Sequence, residues 1–293
     1  MLIQALLLTA AIQPAAPPPT PLTPNDIVAK SRPAAWRTIP ADDLLVVELN
    51  NGGRVVIQLA PAFAPVHVAN IRAMARAGWW AGAAVYRVQD NYVAQWGQGE
   101  AEKPFPQGVV AKPPAEYARS LRGLAVRPLG NADPYAPAAG YALGWPVAYS
   151  PREGTANLTH CYGYVGVARG LAPDTGSGGE LYAIIGHAPR QLDRNIAVVG
   201  RVVEGIERLS ALPRGTGDLG FYKERKEDSP IASIQLASQL TPAQRPSFQH
   251  MDTDSLTFAS YLRLRANRKD AFYERPAGGV DLCNAPVPVR RTP

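Results

Sequence analysis

The chain has 293 residues, of which 46% are hydrophobic and 18% charged, so it holds enough apolar material for a folded core and is not disordered throughout. Its 26 glycines and 29 prolines argue against a long helical bundle. The net charge is +6, but basic residues occur in no run longer than a pair, so no nucleic-acid partner is indicated.

The N-terminus has the pattern of an export signal. Residues 1–12 form an apolar run, and small residues (Ala15, Ala16) and prolines follow it, although no Lys or Arg precedes it. We predict a signal peptide over residues 1–16 and delivery to the periplasm of a Gram-negative source; the alternative is a frayed apolar terminus. The run is shorter than the roughly 20 residues that span a bilayer, so no integral membrane association is expected after signal removal.

Residues 17–42 are rich in Pro, Ala and Thr, which predicts a linker. From Leu44 onward two β-rich runs flank the turn signal at residues 51–53, and they predict a hairpin. Residues 65–78 carry apolar side chains at helical spacing between Pro65 and Gly78, and they predict a capped helix.

Short strands and one short helix are predicted further along the chain. The predicted strands are residues 84–88, 92–95, 164–168, 181–185, 198–202 and 231–237, and the helix is residues 205–212. Many short strands around two helices, without βαβ alternation, indicate a mainly β protein built on a closed antiparallel barrel. We assign the main domain to residues 43–240.

Two segments lie outside this pattern. Residues 103–159 contain nine prolines and little periodicity, which predicts a long irregular loop insertion. Residues 255–268 have a helical pattern, so the C-terminal extension over residues 241–293 is predicted to be a helical appendage packed on the main domain.

The two cysteines, Cys161 and Cys283, are too few for a four-thiolate zinc site and match no CxxC motif, so no metal is expected. In an exported protein they would form a disulfide that ties the C-terminal extension to the barrel. The alternative is two unrelated buried thiols.

A glycine-rich segment, residues 175–179, places Ser177 between glycines and invites comparison with serine proteases. His160 and Ser177 are only 17 positions apart, which does not fit a catalytic triad on two barrels, and a solvent-facing glycine turn is the simpler interpretation. The remaining histidines are scattered and are expected at the surface or in caps: His67, His187 and His250.

The most informative segment is residues 83–98, where Arg87 interrupts an apolar strand. Burying a guanidinium is costly unless it is paired or directed at a ligand. Tyr92, Val93 and Gln95 follow after a short turn, so an aromatic, an aliphatic and an amide side chain could surround one pocket. The alternative is a structural ion pair between Arg87 and a nearby acid.

This segment resembles the signature of the cyclophilins, in which an aromatic-Arg-Val strand precedes an aromatic-aliphatic-x-Gln-Gly strand. The resemblance extends over about residues 43–238, with further matches at residues 56–59, 163–169, 179–184 and 191–202. It implies an eight-stranded barrel capped by two helices and the cis-trans isomerisation of peptidyl-prolyl bonds without a cofactor. Its partners would be proline-containing unfolded or extended polypeptides. The alternative is a cyclophilin-like binding module with little or no turnover.

The resemblance also assigns roles to individual residues. Arg87 takes the catalytic position. The residues at positions that build the proline pocket are Tyr92, Val93, Tyr182, Leu192 and Ile196, and those at positions that hold the substrate backbone are Gln95, Ala168 and Arg169.

Three positions depart from the usual pattern: Glu180 replaces a Gln, Gln191 replaces the Trp of some members, and Ile196 replaces the His of many. The resemblance places Glu180 in the pocket near Arg87. We therefore expect a charge-assisted contact between them that neutralises part of the guanidinium charge, so that Glu180→Gln raises the rate. The alternative is that the contact preorganises Arg87.

Overall fold

The computed structural model describes residues 22–99 and 103–293, so the predicted signal peptide lies outside the described residues. Within these ranges the α-helices are α1 (Pro24–Ala29), α2 (Pro65–Arg76), α3 (Ile206–Ser210) and α4 (Leu256–Ala266). The strands are β1 (Trp36–Thr38), β2 (Leu44–Leu49), β3 (Arg54–Leu59), β4 (Ala84–Val88), β5 (Val93–Gly97), β6 (Arg119–Ser120), β7 (Arg127–Pro128), β8 (Ala138–Ala142), β9 (Trp145–Ser150), β10 (Thr155–Leu158), β11 (Tyr164–Val167), β12 (Leu181–Ile184), β13 (Val198–Glu204), β14 (Ser229–Leu236), β15 (Phe248–Met251) and β16 (Val289–Arg291).

Eight strands close into an antiparallel barrel in the order β11-β12-β5-β4-β14-β2-β3-β13, which confirms the predicted fold class. The predicted hairpin is β2–β3, and Gly52 in its turn has a φ of 81°, a conformation that glycine adopts without strain. The helix α2 begins at Pro65 as predicted, and its buried face packs on the barrel core through Val68, Ile71 and Met74.

Side chains alternate between the inside and the outside of the barrel, as the pleat of a strand requires. On β5 and β12, Ala94 and Ala183 belong to the interior core, whereas the adjacent Val93 and Tyr182 belong to a second apolar cluster on the outer surface. The outer apolar side chains stabilise the fold only if another segment covers them, because the favourable free energy comes from removing apolar area from water.

The insertion supplies that cover, and the prediction of an irregular loop over residues 103–159 was wrong from residue 119 onward. There β6, β10, β9, β8 and β7 form a five-stranded antiparallel sheet. Trp145, Val147 and Leu158 from this sheet pack on the outer face of the barrel. Tyr141, on the opposite face of β8, belongs to a different apolar cluster.

The two ends of the described chain form a third layer against that opposite face. Strand β1 pairs with β15, which pairs with β16, and α1 packs on α4. The linker prediction was therefore wrong from α1 onward, because this segment is anchored by pairing and by burial of Trp36. The C-terminal extension contains the predicted helix, but two strands as well, so it is not simply a helical appendage.

A disulfide joins Cys161, which follows β10, to Cys283 in the C-terminal extension, with 5.2 Å between the Cα atoms. The bridge therefore links the segment between β10 and β11 to the third layer. No helix in residues 22–99 and 103–293 is long and apolar enough to cross a membrane.

Candidate active site

Arg87 lies on the outer face of the barrel because of an irregularity in the pairing of β4 with β5. Val85 opposes Trp96 and Arg87 opposes Gln95, so Tyr86 is an extra residue on β4 with no partner in the register. Such a β-bulge disturbs the strict alternation of side chains. As a result both Tyr86 and Arg87 reach the side chain of Gln95.

The half-buried guanidinium of Arg87 is held from three directions. Its Nη1 donates to Oε1 of Gln95 at 3.0 Å, its Nη2 to Oε1 of Gln89 at 2.5 Å, and its Nε to the carbonyl oxygen of Leu219 at 2.8 Å. Each Nη carries a second N–H, which these bonds leave available to a ligand. Burial lowers the pKa of Arg87.

Two aromatic rings flank the same guanidinium. Its central carbon lies 5.8 Å from the ring centre of Tyr92 and 5.0 Å from that of Phe221. Phe221 is 39% exposed, and Leu219 beside it is 67% exposed, so apolar surface faces solvent next to the charge. No sequence pattern points to this loop, because its position depends on contacts with β4 across more than 130 residues of chain.

The predicted proline-pocket residues are largely brought together. Val93 and Tyr182 are buried in the outer cluster, and Tyr92 and Ile196 pack against it, as does Ala168. Leu192 ends a 3₁₀ turn (Arg190–Leu192) and is half-buried, but it is not a member of that cluster among the described residues.

A cavity of about 370 Å³ is lined by Gln95, the hydrogen-bond partner of Arg87, and by the predicted residues Ala168, Arg169 and Glu180. The insertion contributes Phe105 and Ala111 to its wall, and the glycine-rich segment contributes Gly176 and Ser177. That segment is not a solvent-facing turn, since Gly176, Gly178 and Gly179 are buried. A Cβ at Gly179 would meet the ring of Trp79.

Arg169 contacts both the loop before β13 and the insertion. Its Nε and Nη2 donate to the carbonyl oxygen of Asn195 at 3.2 and 3.0 Å, and its guanidinium lies 5.9 Å from the ring centre of Tyr117 in the insertion. These contacts fix the loop that carries Ile196.

The expected contact between Glu180 and Arg87 is wrong. Oε2 of Glu180 accepts a hydrogen bond from the hydroxyl of Tyr86 at 2.7 Å, and Oε1 accepts from the backbone N–H of Gln98 at 2.9 Å. The bulge at Tyr86 is the reason, since it inserts a phenol between the two charges. Burial raises the pKa of the Glu180 carboxyl, against the hydrogen bonds that lower it.

Beneath the pocket lies a second set of polar side chains, which we call the His160 network. Nε2 of His160 lies 3.1 Å from the hydroxyl of Tyr182, and Nδ1 lies 2.9 Å from Oδ1 of Asp193. Nε of Arg190 donates to Oδ2 of Asp193 at 2.5 Å, and its Nη atoms donate to Asp133 in the insertion at 3.0 and 3.1 Å. His160 therefore does not approach Ser177 as in a protease.

Of the three histidines expected at the surface or in caps, His187 is exposed and His250 is half-buried, whereas His67 is at neither kind of position. His67 is fully buried, with Nδ1 2.7 Å from Oε2 of Glu116 in the insertion. The same carboxylate accepts from the backbone N–H groups of Val66 and His67, so it caps α2 from a distance in sequence. Within the described residues no cluster of three or more His, Cys, Asp or Glu is arranged to hold a metal.

The family model described as cyclophilin type peptidyl-prolyl cis-trans isomerase/CLD matches residues 44–236. The crystal structure of cyclophilin AquaCyp293 from Hirschia baltica is similar over 93% of this chain and 98% of that chain, with 25% sequence identity and a TM-score of 0.68. That span includes most of the insertion and of the third layer.

Two crystal structures of a cyclophilin type peptidyl-prolyl cis-trans isomerase from Cryptosporidium parvum are more distant. One, in the presence of the dipeptide Ala-Pro, has 12% identity and covers 66% of this chain and 98% of that chain, with a TM-score of 0.40. The other has 13% identity and covers 66% and 96%, also with a TM-score of 0.40. No curated protein matches the sequence.

Proposed function

The chain belongs to the cyclophilin-type peptidyl-prolyl cis-trans isomerase family, and from that premise we propose that it catalyses the isomerisation of X–Pro bonds in extended polypeptides. The observation that carries the proposal is the position of Arg87 on the outer barrel face, bonded to Gln95 and adjoining an apolar cluster. A half-buried cationic donor beside an apolar wall suits a substrate that is apolar and has an amide as its reacting group.

The reaction requires a lower barrier to rotation and no covalent step. A peptide bond resists rotation by about 18–20 kcal/mol because resonance gives its C–N bond partial double-bond character. An N–H of Arg87 that approaches the proline nitrogen favours the pyramidal, deconjugated geometry of the transition state over the planar ground state. Stabilisation gained only in the transition state accelerates the step.

The remaining roles follow from the placement of the side chains. Tyr92, Val93, Tyr182 and Ile196 form the apolar wall that takes the pyrrolidine ring. Gln95, Ala168 and Arg169 line the cavity of about 370 Å³, where the residues that precede or follow the proline would lie. No cofactor takes part in this scheme.

We further propose that the protein acts on exported chains in the periplasm. The apolar segment at residues 1–12 supports this, and so does the disulfide between Cys161 and Cys283, since disulfides persist in oxidising compartments. N-terminal sequencing of the protein from its native host should give a start beyond Ala11. An intact Met1 on protein from the cytosol would contradict export.

One observation favours a second candidate, a binding module with little turnover. Val93 and Tyr182 are only 2% and 4% exposed, so a proline ring reaches them only if the wall opens. A protease-coupled assay with a proline peptide separates the two functions. Folded protein that leaves the isomerisation rate at its uncatalysed value would favour the binding module.

A further inference from the structure

Four side chains on the outer face of the barrel are hydrogen-bonded in a row that begins at Arg87. Nη1 of Arg87 donates to Oε1 of Gln95 at 3.0 Å, and Nε2 of Gln95 donates to the hydroxyl of Tyr86 at 2.6 Å. The hydroxyl of Tyr86 donates to Oε2 of Glu180 at 2.7 Å. We call this row the Arg87 relay.

The chemistry of the groups permits only one direction for these bonds. A guanidinium has donors alone, so Gln95 must present its carbonyl oxygen to Arg87 and its NH2 group to Tyr86. The oxygen of Tyr86 then accepts, and its proton must go to the carboxylate of Glu180. Burial together with the neighbouring carboxylate raises the pKa of Tyr86, so this proton stays on the phenol.

A carboxylate suits position 180 because each of its two oxygens can accept a hydrogen bond there. One oxygen accepts from Tyr86 and the other from the backbone N–H of Gln98, which can only donate. A Gln at this position would have one oxygen and one NH2 group. With its oxygen on the backbone N–H, its NH2 group would face the Tyr86 hydroxyl, which already accepts from Gln95.

We propose that Tyr86 is a positioning residue of the active site, which acts together with Glu180 to hold the amide of Gln95 with its oxygen toward Arg87. This inference rests on the proposed function and gives it a further requirement. The carboxylate of Glu180 acts on Arg87 through two intervening side chains, so Glu180→Gln lowers the catalytic rate, opposite to the effect expected from a direct contact.

The bulge explains why the relay exists. In a regular strand with Val85 opposite Trp96, Tyr86 would oppose Gln95 on the outer face and Arg87 would point into the barrel, so the two side chains could not both reach Gln95. Space for the carboxylate depends on Gly97, because a Cβ at that position would overlap Glu180. The relay therefore depends on two local features of β4 and β5.

The test compares Tyr86→Phe, Glu180→Gln and the double variant in the proline-peptide assay. We expect each single variant to lower kcat about three- to tenfold, the range for one lost hydrogen bond, with KM changed less. The double variant should be no slower than the slower single variant, because both changes break the same row. Tyr261→Phe is the matched control, since it removes a hydroxyl that bonds to Pro286 at 3.0 Å far from Arg87.

Three results would overturn the proposal: unchanged kcat in Tyr86→Phe, additive losses in the double variant, or a faster Glu180→Gln protein. A fall in the melting temperature with unchanged kcat would assign Tyr86 a structural role only.

A second measurement does not depend on activity. The side-chain amide protons of Gln95 should shift in the NMR spectrum of Glu180→Gln, although Glu180 is hydrogen-bonded to Tyr86 and Gln98 and not to Gln95. An unshifted signal would contradict the relay even if the wild-type protein proved inactive, whereas inactivity with a shifted signal would count against the proposed function alone.

Discussion

Two polar networks support the same part of the barrel surface, and they differ in exposure and in origin. The Arg87 relay lies within strands β4 and β5 and the residue before β12, and its charged members, Arg87 and Glu180, are half-buried. The His160 network runs from Tyr182 on the barrel to Asp133 in the insertion, and every side chain in it is less than 10% exposed.

The two networks differ in whether their charged groups can still bind a ligand. The guanidinium of Arg87 can, whereas the charged side chains of the His160 network are already paired with one another. Arg87 retains N–H groups that can turn to a substrate, and its aromatic neighbours face solvent. In the His160 network each carboxylate is matched by Arg190 or by His160, and breaking a buried pair leaves an uncompensated charge. We therefore expect changes in the first network to alter the rate, and changes in the second to alter stability.

The largest effect on stability should come from the disulfide that adjoins the His160 network. Cys161 and Cys283 are separated by 122 positions, and in the chain-entropy model a loop of this length contributes about 5 kcal/mol. The Cys161→Ala, Cys283→Ala double variant should unfold at a lower denaturant concentration, with isomerase activity per folded molecule preserved. Equal midpoints would show that the bridge does not constrain the unfolded chain.

Arg190→Ala should break the His160 network itself. Two carboxylates, Asp133 and Asp193, would lose their shared cation in a buried site, at a cost of about 3–5 kcal/mol. Denaturant unfolding measures the loss, and Arg152→Ala, an exposed arginine of the insertion, is the control. A loss no larger than the control's would mean that water compensates the carboxylates.

Arg87→Ala should instead alter the catalytic rate and not the stability. The expected result is a fall in kcat/KM of more than tenfold, equivalent to about 1.4 kcal/mol of barrier, with the circular dichroism spectrum unchanged. Arg208→Ala, on the exposed side of α3, provides the matched control. If the rate of Arg87→Ala equals that of the wild type, Arg87 takes no part in the mechanism.

The sequence was sufficient for the barrel because its strands and α2 carry their own signals. Arg87 stood out since it interrupts an apolar strand, and the hairpin and helix were marked by glycine and proline. The bulge at Tyr86 was not visible, because it is defined only by the register of β4 against β5. For that reason Glu180 was placed against the wrong partner.

The sheet within the insertion was not predicted, for a similar reason. Strands β8 and β9 are joined by Leu143 and Gly144, which have φ angles of 53° and 81°. A tight hairpin turn with two positive φ angles usually contains Asn, Asp or Gly, so a leucine there gives no turn signal. Its strain is offset by the packing of Trp145 and Val147 on the barrel, which local sequence patterns do not report.

The smallest effect we predict is a pH dependence carried by the Arg87 relay. Glu180 must be ionised to accept from both Tyr86 and Gln98, and burial raises its pKa. The relay is therefore intact above the raised pKa and lost as the pH falls through it. The groups that face this carboxyl are Tyr86, the backbone amides of Gln98 and Gly99, and, beyond Tyr86, Arg87.

With a peptide that has no titratable side chain, kcat should fall between about pH 8 and pH 4, by no more than the factor seen in Glu180→Gln. The profile of Glu180→Gln should be flat over the same range, because a neutral amide has no proton to gain there. A slope that persists in Glu180→Gln would assign the dependence to another group, and a flat wild-type profile would show that protonation of Glu180 leaves the amide of Gln95 in place. Either result would weaken the contrast between a network that sets the rate and one that sets stability.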